Sequence, residues 1–249
     1  MTAAPNKIET LKRLIEAAER IVAFTGAGIS TECGIPDFRS PGGLWTRYKP
    51  IPFQEFMSSA EKRREAWERY FKVYDAVRHA EPGRGHAALA RLRDQGKLTF
   101  VITQNIDGLH LRSGVPAERI IELHGNGSYA HCLACLKRYE LDWVREAMAR
   151  SGPPNCEACG GIVKTATVSF GQPMPPDVME RAYGATEDCD LFLSLGSSLV
   201  VYPAATLPML ARRWGATLVI VNRESTPFDD EANLVIGEDI GETMACVVA

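Results

Sequence analysis

Two matched pairs of cysteines place the strongest constraint on how this 249-residue chain can fold. Cys132 and Cys135 form one Cys-x-x-Cys pair, Cys156 and Cys159 form a second, and twenty residues separate the two pairs. Each pair can make a tight turn that directs two thiolates at one ion, and two such turns complete a tetrahedron. The spacing predicts one Zn²⁺ ion, which is expected to be structural because four thiolates leave no position for water. His131 adjoins the first pair as an alternative ligand, although four cysteines suffice.

The remaining cysteines and the start of the chain bear on the cellular compartment. The seven cysteines are an odd number, and four of them lie in the tight pairs, which argues for reduced thiols and metal rather than disulfides. Residues 1–20 contain no cleavable apolar segment and instead carry Leu11, Leu14 and Ile15 at helical spacing. We therefore expect a cytoplasmic protein whose first element is an amphipathic helix.

Charge and hydropathy disfavour two classes of partner. Charged residues make up 24% of the chain and the formal net charge is -3, which favours neither nucleic acid nor an anionic membrane. Residues 191–211 carry no charge and are long enough to mimic a membrane span, but they contain Gly196, Pro203 and Pro208. These residues fit a buried strand, a turn and a helix start, so no membrane association is expected.

Short apolar runs alternate with helical patterns along the chain. Such runs are typical of parallel strands that are buried on both faces of a sheet. The predicted strands are 21–25, 98–103, 120–122, 190–196, 217–222 and 233–236, and the clearest predicted helices are 61–79 and 86–95. We therefore predict an α/β fold with a Rossmann-like doubly wound parallel sheet, which binds ligands beyond the carboxyl ends of its strands.

Two segments interrupt this alternation and predict a second, smaller domain. The first is too long for a simple crossover, and the second carries both cysteine pairs. The predicted Rossmann-like NAD-binding domain is discontinuous and comprises residues 1–45, 82–125 and 168–249. The predicted small domain, which is helical and contains the zinc ribbon, comprises residues 46–81 and 126–167.

The turn after the first predicted strand reads GAGIST over residues 26–31. Gly26 and Gly28 match a dinucleotide-binding turn, in which backbone N–H groups meet a pyrophosphate at a helix start. However, Thr31 stands where dehydrogenases have a third glycine, and no second strand with an acidic ribose ligand follows. Taken alone, an ordinary tight strand–helix turn explains this segment about as well.

Several motifs in one order resemble the sirtuins, a family of NAD-dependent protein deacylases, in their prokaryotic-type catalytic core. Residues 26–39 (GAGISTECGIPDFR) resemble the family's nucleotide loop, residues 103–110 (TQNIDGLH) its second signature and residues 123–125 (LHG) its third. The cysteine pairs fall where the family has its zinc ribbon, and residues 196–199 (GSSL) and 221–222 (VN) follow in the family's order. The likeness covers nearly the whole chain and implies a cleft between two domains that NAD⁺ and an acylated lysine enter from opposite sides.

The resemblance implies a reaction and a product. It implies a protein lysine deacetylase that transfers the acyl group from lysine to ADP-ribose and releases nicotinamide, which is also an expected inhibitor. Mono-ADP-ribosyl transfer to protein, with the same NAD⁺ cleavage but another acceptor, is the alternative. A non-catalytic NAD⁺ or zinc module is disfavoured because His124, Asn105 and Asp107 are intact.

The resemblance also assigns roles at the cofactor site. Asn105 and Gln104 would order the ribose, and Ile106 and Asp107 would hold the nicotinamide carboxamide. Phe38 would cover the nicotinamide, and Arg39 would approach the phosphates. The other implied cofactor residues are Ala27, Gly28, Thr31, Gly196, Ser197, Ser198, Asn222 and Ile240. His124 follows a predicted strand and has an ordinary pKa of about 6.5, which suits a general base near neutrality. The resemblance makes it the base that activates the ribose hydroxyls.

The peptide groove is where the motifs depart from the family. Thr165 replaces a proline, Ser169 replaces an aromatic residue and Gln172 replaces an acid. The substrate contacts that the resemblance implies are still present, so an apolar acyl-lysine tunnel with a strand-like clamp is expected. These contacts are Val168, Phe170, Gly171 and Val201.

The predicted helix of the small domain bears on which acyl group is removed. Family members that prefer succinyl or malonyl groups carry a Tyr-x-x-Arg pair on this helix, whereas here Val73 follows Tyr70 and Val77 follows Tyr74 at that spacing. Without the arginine, a buried dicarboxylic acyl tail leaves a desolvated charge. Acetyl is therefore expected to be preferred, unless Arg78, four residues after Tyr74, takes that place.

Overall fold

A computed structural model of the chain describes residues 6–37, 43 and 49–248. Phe38 and Arg39, two of the predicted cofactor residues, lie outside the described residues. The strands of the described part are β1 (Ile21–Thr25), β2 (Leu98–Thr103), β3 (Ile120–Glu122), β4 (Gly125–Cys132), β5 (Arg138–Glu140), β6 (Val163–Thr167), β7 (Leu191–Leu195), β8 (Thr217–Val221) and β9 (Leu234–Ile236). Its α-helices are α1 (Lys7–Ala17), α2 (Phe53–Ser58), α3 (Ala60–Val77), α4 (Arg84–Asp94), α5 (Leu109–Arg112), α6 (Leu141–Ser151), α7 (Pro176–Glu187), α8 (Leu207–Arg213) and α9 (Ile240–Val247).

The larger sheet has six strands in the order β3-β2-β1-β7-β8-β9, and all neighbouring pairs are parallel. This is the doubly wound arrangement that the apolar runs predict, so the predicted fold class is confirmed. The first three predicted strands have the observed bounds, and the other three differ by one residue at one or both ends. The strand order reverses between β1 and β7, and that switch point is where doubly wound sheets hold their ligands.

Both faces of this sheet are covered, which explains why its strands are almost uniformly apolar. Ile21 and Ala23 of β1 point into a buried cluster that also contains Leu11 of α1 and Leu89 of α4. Phe24 points to the opposite face, where it packs against Phe192 of β7 with ring centroids 5.8 Å apart and where α7 and α8 also pack. Alternate residues of one strand therefore serve two separate cores.

The smaller sheet is antiparallel, with the order β5-β4-β6. Trp67 and Phe71 of α3 stack with ring centroids 5.6 Å apart and pack into a cluster that includes Val163 of β6 and Val144 of α6. Cys132, at the end of β4, and Cys156 belong to the same cluster, so one core joins these cysteines to the long helix.

The uncharged segment of residues 191–211 is divided among several elements of the fold. Residues 191–211 form β7, a turn, a short 3₁₀ segment and most of α8, as their glycine and prolines predict. None of the described helices has both the length and the apolar character needed to cross a membrane.

Candidate active site

A cavity of about 740 Å³ opens at the carboxyl ends of the central strands. Thr25 of β1 is level with Thr103 of β2 and with Leu195 of β7, so the loops that follow these strands meet at one edge of the sheet. Sixteen of the predicted site residues line the cavity: Ala27, Gly28, Thr31, Gln104, Asn105, Ile106, His124, Val168, Phe170, Gly171, Gly196, Ser197, Ser198, Val201, Asn222 and Ile240.

The glycine loop lies directly against the loop that follows β7. The N–H of Gly26 donates to the carbonyl of Leu195 (3.0 Å), and the N–H of Gly28 donates to that of Gly196 (2.9 Å). A Cβ on Gly26 would lie 2.5 Å from the oxygen of Gly196, and one on Gly28 would lie 2.6 Å from its Cα. The two glycines are therefore required by backbone packing at the switch point. The segment Ala27–Cys33 is a 3₁₀ helix rather than the first turn of an α-helix.

The polar residues after β2 bridge the two loops. Gln104 Nε2 donates to Ser197 Oγ (2.8 Å), and buried Asn105 donates through Nδ2 to the carbonyl of Gly26 (3.1 Å) and to Ser30 Oγ (3.2 Å). Since both side chains are bonded to neighbouring loops, their orientation at the cavity wall is fixed by the fold.

Asp107 does not line the cavity. Its Oδ2 accepts from Ser30 Oγ (2.7 Å) and its Oδ1 accepts from the N–H of Leu109 (2.9 Å). Asp107 is therefore connected to Asn105 through the hydroxyl of Ser30.

His124 lies between β3 and β4 with one ring nitrogen committed. Its Nδ1 lies 3.0 Å from the carbonyl oxygen of Gln104, and because a carbonyl can only accept, Nδ1 carries the proton. In the neutral ring, Nε2 is then the proton acceptor. Burial lowers the pKa of His124 below its ordinary value, so the neutral ring is favoured near neutrality.

The far end of the cavity is bounded by the start of α9. Asp239 caps this helix by accepting from the N–H of Glu242 (2.9 Å), and it pairs with Arg223 (2.7 Å). The Glu242 N–H and then the Arg223 guanidinium hold the pKa of Asp239 below its ordinary value. An ionised cap next to Ile240 therefore anchors this wall.

The four paired cysteines lie together in the small sheet and its turns. Their Sγ atoms all lie within 4.8 Å of one another, with Cys132 and Cys159 3.5 Å apart and Cys135 and Cys156 also 3.5 Å apart. A tetrahedral zinc with thiolate bonds of about 2.3 Å requires sulfur separations of about 3.8 Å, so the residues fit the ion. The hydroxyl of Tyr139 donates to Cys156 Sγ (3.1 Å) and is the main cause that lowers the pKa of this thiol to about 6. His131 does not belong to the group.

A sequence model of the Sir2 family matches residues 26–203. The chain belongs to the Sir2 family. This assignment confirms the resemblance that the signature motifs carry.

Relatives extend this Sir2-family likeness over nearly the whole chain. A Bradyrhizobium diazoefficiens protein named NAD-dependent protein deacetylase 1 is 57% identical over 237 residues, which cover 95% of this chain and 93% of that protein. A solved structure of a Sir2 with a p53 peptide and NAD⁺ superposes with a TM-score of 0.83 at 38% identity, covering 96% of each chain. A Sir2 variant with a deacetylated p53 peptide and 3′-O-acetyl-ADP-ribose superposes with a TM-score of 0.84 at 38% identity, covering 97% of each chain.

The residues that depart from the Sir2 pattern have local partners in this structure. The N–H of Ser169 donates to Gln172 Oε1 (3.2 Å), while the N–H of Gln172 donates to the carbonyl of Ser169 (2.9 Å). The hydroxyls of Thr165 and Thr167 lie 2.8 Å apart. Gln172 therefore closes the turn that presents Phe170 at the cavity rim.

Part of the lining of this Sir2-family cavity consists of residues that the motifs did not predict. Asp37 lies inside the first motif, so its position there was the available signal. The aromatic and apolar residues on and before α7, and Tyr202 beyond the GSSL motif, lie in no motif, and only their packing reveals them: Met174, Met179, Tyr183 and Tyr202.

Proposed function

We propose that this Sir2-family protein is an NAD-dependent protein lysine deacetylase that transfers the acetyl group to ADP-ribose and releases nicotinamide. The observation that carries the proposal is the position of His124, whose Nδ1 is committed to Gln104 while its ring lines the same cavity as Asn105 and Val168. Bound NAD⁺ supplies the ADP-ribose acceptor by losing nicotinamide.

His124 acts as the general base. With the Nδ1 proton committed to Gln104, Nε2 would be free to accept the proton of a ribose hydroxyl once nicotinamide has left and the amide oxygen of the acetyl-lysine has bonded to the anomeric carbon. The base is joined to the peptide side through its backbone, since the carbonyl of His124 accepts from the N–H of Val168 (2.8 Å).

The residues after β2 hold the reacting end of NAD⁺. Asn105 and Gln104 order the ribose, and Ile106 holds the carboxamide at the cavity wall. Asp107, whose carboxylate lies outside the cavity lining and accepts from Ser30 in this structure, would turn to accept from the carboxamide NH2. Phe38 covers the nicotinamide and Arg39 approaches the phosphates, as the family motif implies. The glycine loop and the adenosine end are completed by Ala27, Gly28, Thr31, Gly196, Ser197, Ser198, Asn222 and Ile240.

An acylated lysine in a protein or peptide occupies the opposite side of the cavity. Val168, Phe170, Gly171 and Val201 clamp its backbone and line the acyl tunnel, and this proposal is supported by their position in the cavity lining, where Phe170 is 47% exposed. Free nicotinamide competes for the site from which it is released and therefore inhibits.

The chain is divided into two domains with different roles. We propose that Zn²⁺ stabilises a small domain of residues 46–81 and 126–167, while the discontinuous domain of residues 1–45, 82–125 and 168–249 binds NAD⁺. The free cysteines of the described residues are compatible with a cytoplasmic protein. The net charge of -3 supports the proposal that it contacts neither membrane nor nucleic acid.

A peptide assay separates this function from ADP-ribosyl transfer. The purified protein is incubated with NAD⁺ and an acetyl-lysine peptide, with the same unacetylated peptide as control, and nicotinamide release and peptide mass are followed. We expect nicotinamide release only with the acetylated peptide, which loses its acetyl group. A gain of ADP-ribose on either peptide, with the acetyl group retained, would establish the transferase alternative.

A further inference from the structure

Two histidines that the mechanism does not use lie buried side by side beneath the cavity. His86 of α4 and His110 of α5 are 0% and 2% exposed, and their ring centroids are 4.8 Å apart. His86 Nε2 and His110 Nδ1 are buried, and neither has a hydrogen-bond partner in the part of the chain that the structure describes. A buried polar atom without a partner is costly, so this pair requires an explanation.

The bonds that the rings do make fix which nitrogens carry protons. His86 Nδ1 receives the backbone N–H of Gly83 (3.3 Å), and because an N–H can only donate, this nitrogen is unprotonated in the neutral ring. The proton of His86 is therefore on Nε2. Burial lowers the pKa of both rings, which keeps them neutral.

The second ring, that of His110, is connected by hydrogen bonds to the last residues of β1 and β2. His110 Nε2 lies 2.8 Å from Thr25 Oγ1, and Thr25 Oγ1 donates to Thr103 Oγ1 (2.8 Å). Since the hydroxyl proton of Thr25 is used in that bond, His110 Nε2 must be the donor, which leaves Nδ1 as an acceptor. The two unpartnered atoms are thus of opposite kind, a donor on His86 and an acceptor on His110.

The same series of bonds ends at a proposed catalytic residue. Thr103 Oγ1 also accepts from the backbone N–H of Asn105 (3.0 Å), and Asn105 is the residue whose side chain bridges to the glycine loop. We propose that His110 is a positioning residue that fixes the backbone of Asn105 through Thr25 and Thr103, with the neutral ring of His86 packed against it. This inference rests on the role proposed above for Asn105.

The tautomers test the inference without any assay of activity. Long-range ¹H–¹⁵N spectra of the protein labelled at histidine should show His86 and His110 both neutral and both protonated on Nε2. A His110 ring protonated on Nδ1 would overturn the proposal, because Thr25 would then donate to His110 and not to Thr103.

Removing one hydroxyl tests the positioning role. Thr25→Val keeps the shape of the side chain and should lower kcat for nicotinamide release by at least about tenfold with little change in KM for the peptide. Thr25→Ser, which keeps the hydroxyl, should recover most of the rate. Ser194→Ala is the matched control, because its hydroxyl is buried on the adjacent strand β7 and has no partner among the described residues.

The rates of wild type, Thr25→Val and Thr25→Ser together decide whether the Thr25 hydroxyl positions Asn105. Equal rates for wild type and Thr25→Val, or an equal loss in Thr25→Ser, would overturn the proposal, and Tm measured on all variants separates misfolding from misplacement. If Thr25→Val does not fold, the tautomers and Thr25→Ser decide. An inactive wild type with the expected tautomers would contradict the proposed function and leave the hydrogen-bonded series intact.

Discussion

His124 Nδ1 donates to the carbonyl oxygen of Gln104 across 3.0 Å, and this bond selects the tautomer in which Nε2 faces the chemistry. The bond also links the base to the strand that carries Asn105, so the two proposed catalytic residues are set by the end of one strand.

Replacing this base should remove the acyl-transfer step. His124→Ala is expected to lower kcat by about a hundredfold or more, because general-base catalysis contributes that much, while Tm and NAD⁺ binding change little. His79→Ala, at an exposed histidine, is the control and should be fully active. A His124→Ala protein with more than half of the wild-type rate would exclude the assigned role.

The pH dependence of the wild-type rate should follow from the buried position of His124. Only the neutral ring accepts a proton, so the rate is full above the pKa of His124 and is lost as pH falls through it. Because burial lowers this pKa from 6.5, activity should persist below pH 6.5 and decline only at more acidic values. The measurement is kcat/KM against pH, and a half-maximal rate above pH 7 contradicts the buried, neutral ring.

The metal site should support stability as well as activity. Cys135→Ala should lose about one equivalent of zinc and lower Tm by more than about 5 °C, since a structural ion contributes its binding free energy to folding. Cys246→Ala is matched to it, because both cysteines are exposed and Cys246 lies outside the four-sulfur group. Zinc content by emission spectrometry and thermal melts check the pair, and identical melts for the two variants would contradict a structural zinc.

The glycine loop predicts a steric effect that is independent of chemistry. Gly26→Ala places a Cβ 2.5 Å from the carbonyl oxygen of Gly196 and should cost about 1–3 kcal/mol of stability while raising KM for NAD⁺. Gly184→Ala, inside α7 where a Cβ has open space, should instead stabilise the protein by about 0.5–1 kcal/mol. Urea unfolding of both proteins measures the difference, and a Gly26→Ala protein as stable as wild type would refute the close packing of the two loops.

Acyl preference is predicted from the sequence of α3. Tyr70 of α3 donates its hydroxyl to the carbonyl of Gly127, and Val73 stands three residues later, at the spacing where family members that prefer succinyl groups carry an arginine. Acetyl-lysine peptides should therefore have a higher kcat/KM than succinyl-lysine peptides of the same sequence. A tenfold preference for succinyl would show that Arg78 or Arg69 reaches the tunnel.

The larger sheet could be predicted because its strands are short apolar runs buried on both faces, such as Ile21–Thr25. The smaller sheet could not be predicted, since β4 begins with Gly125, Asn126, Gly127 and Ser128, whose mixed burial breaks any alternation. Its existence depends on pairing with Val163–Thr167, about thirty residues later, which no local pattern records.

The candidate site shows the same division. Contiguous motifs predicted the positions of Gln104, Asn105 and His124, because each follows a strand at the binding edge. The pairing of His86 with His110 joins two helices and depends on their packing, which no local pattern in the sequence records.

The fate of the acetyl group is the most direct test of the central claim. With ¹³C-acetyl-lysine peptide and NAD⁺, mass spectrometry should find the label on ADP-ribose, in equal amount to the nicotinamide released and to the peptide deacetylated. Label recovered from the start of the reaction as free acetate, with unmodified ADP-ribose as the other product, would contradict acyl transfer by His124 and its neighbours.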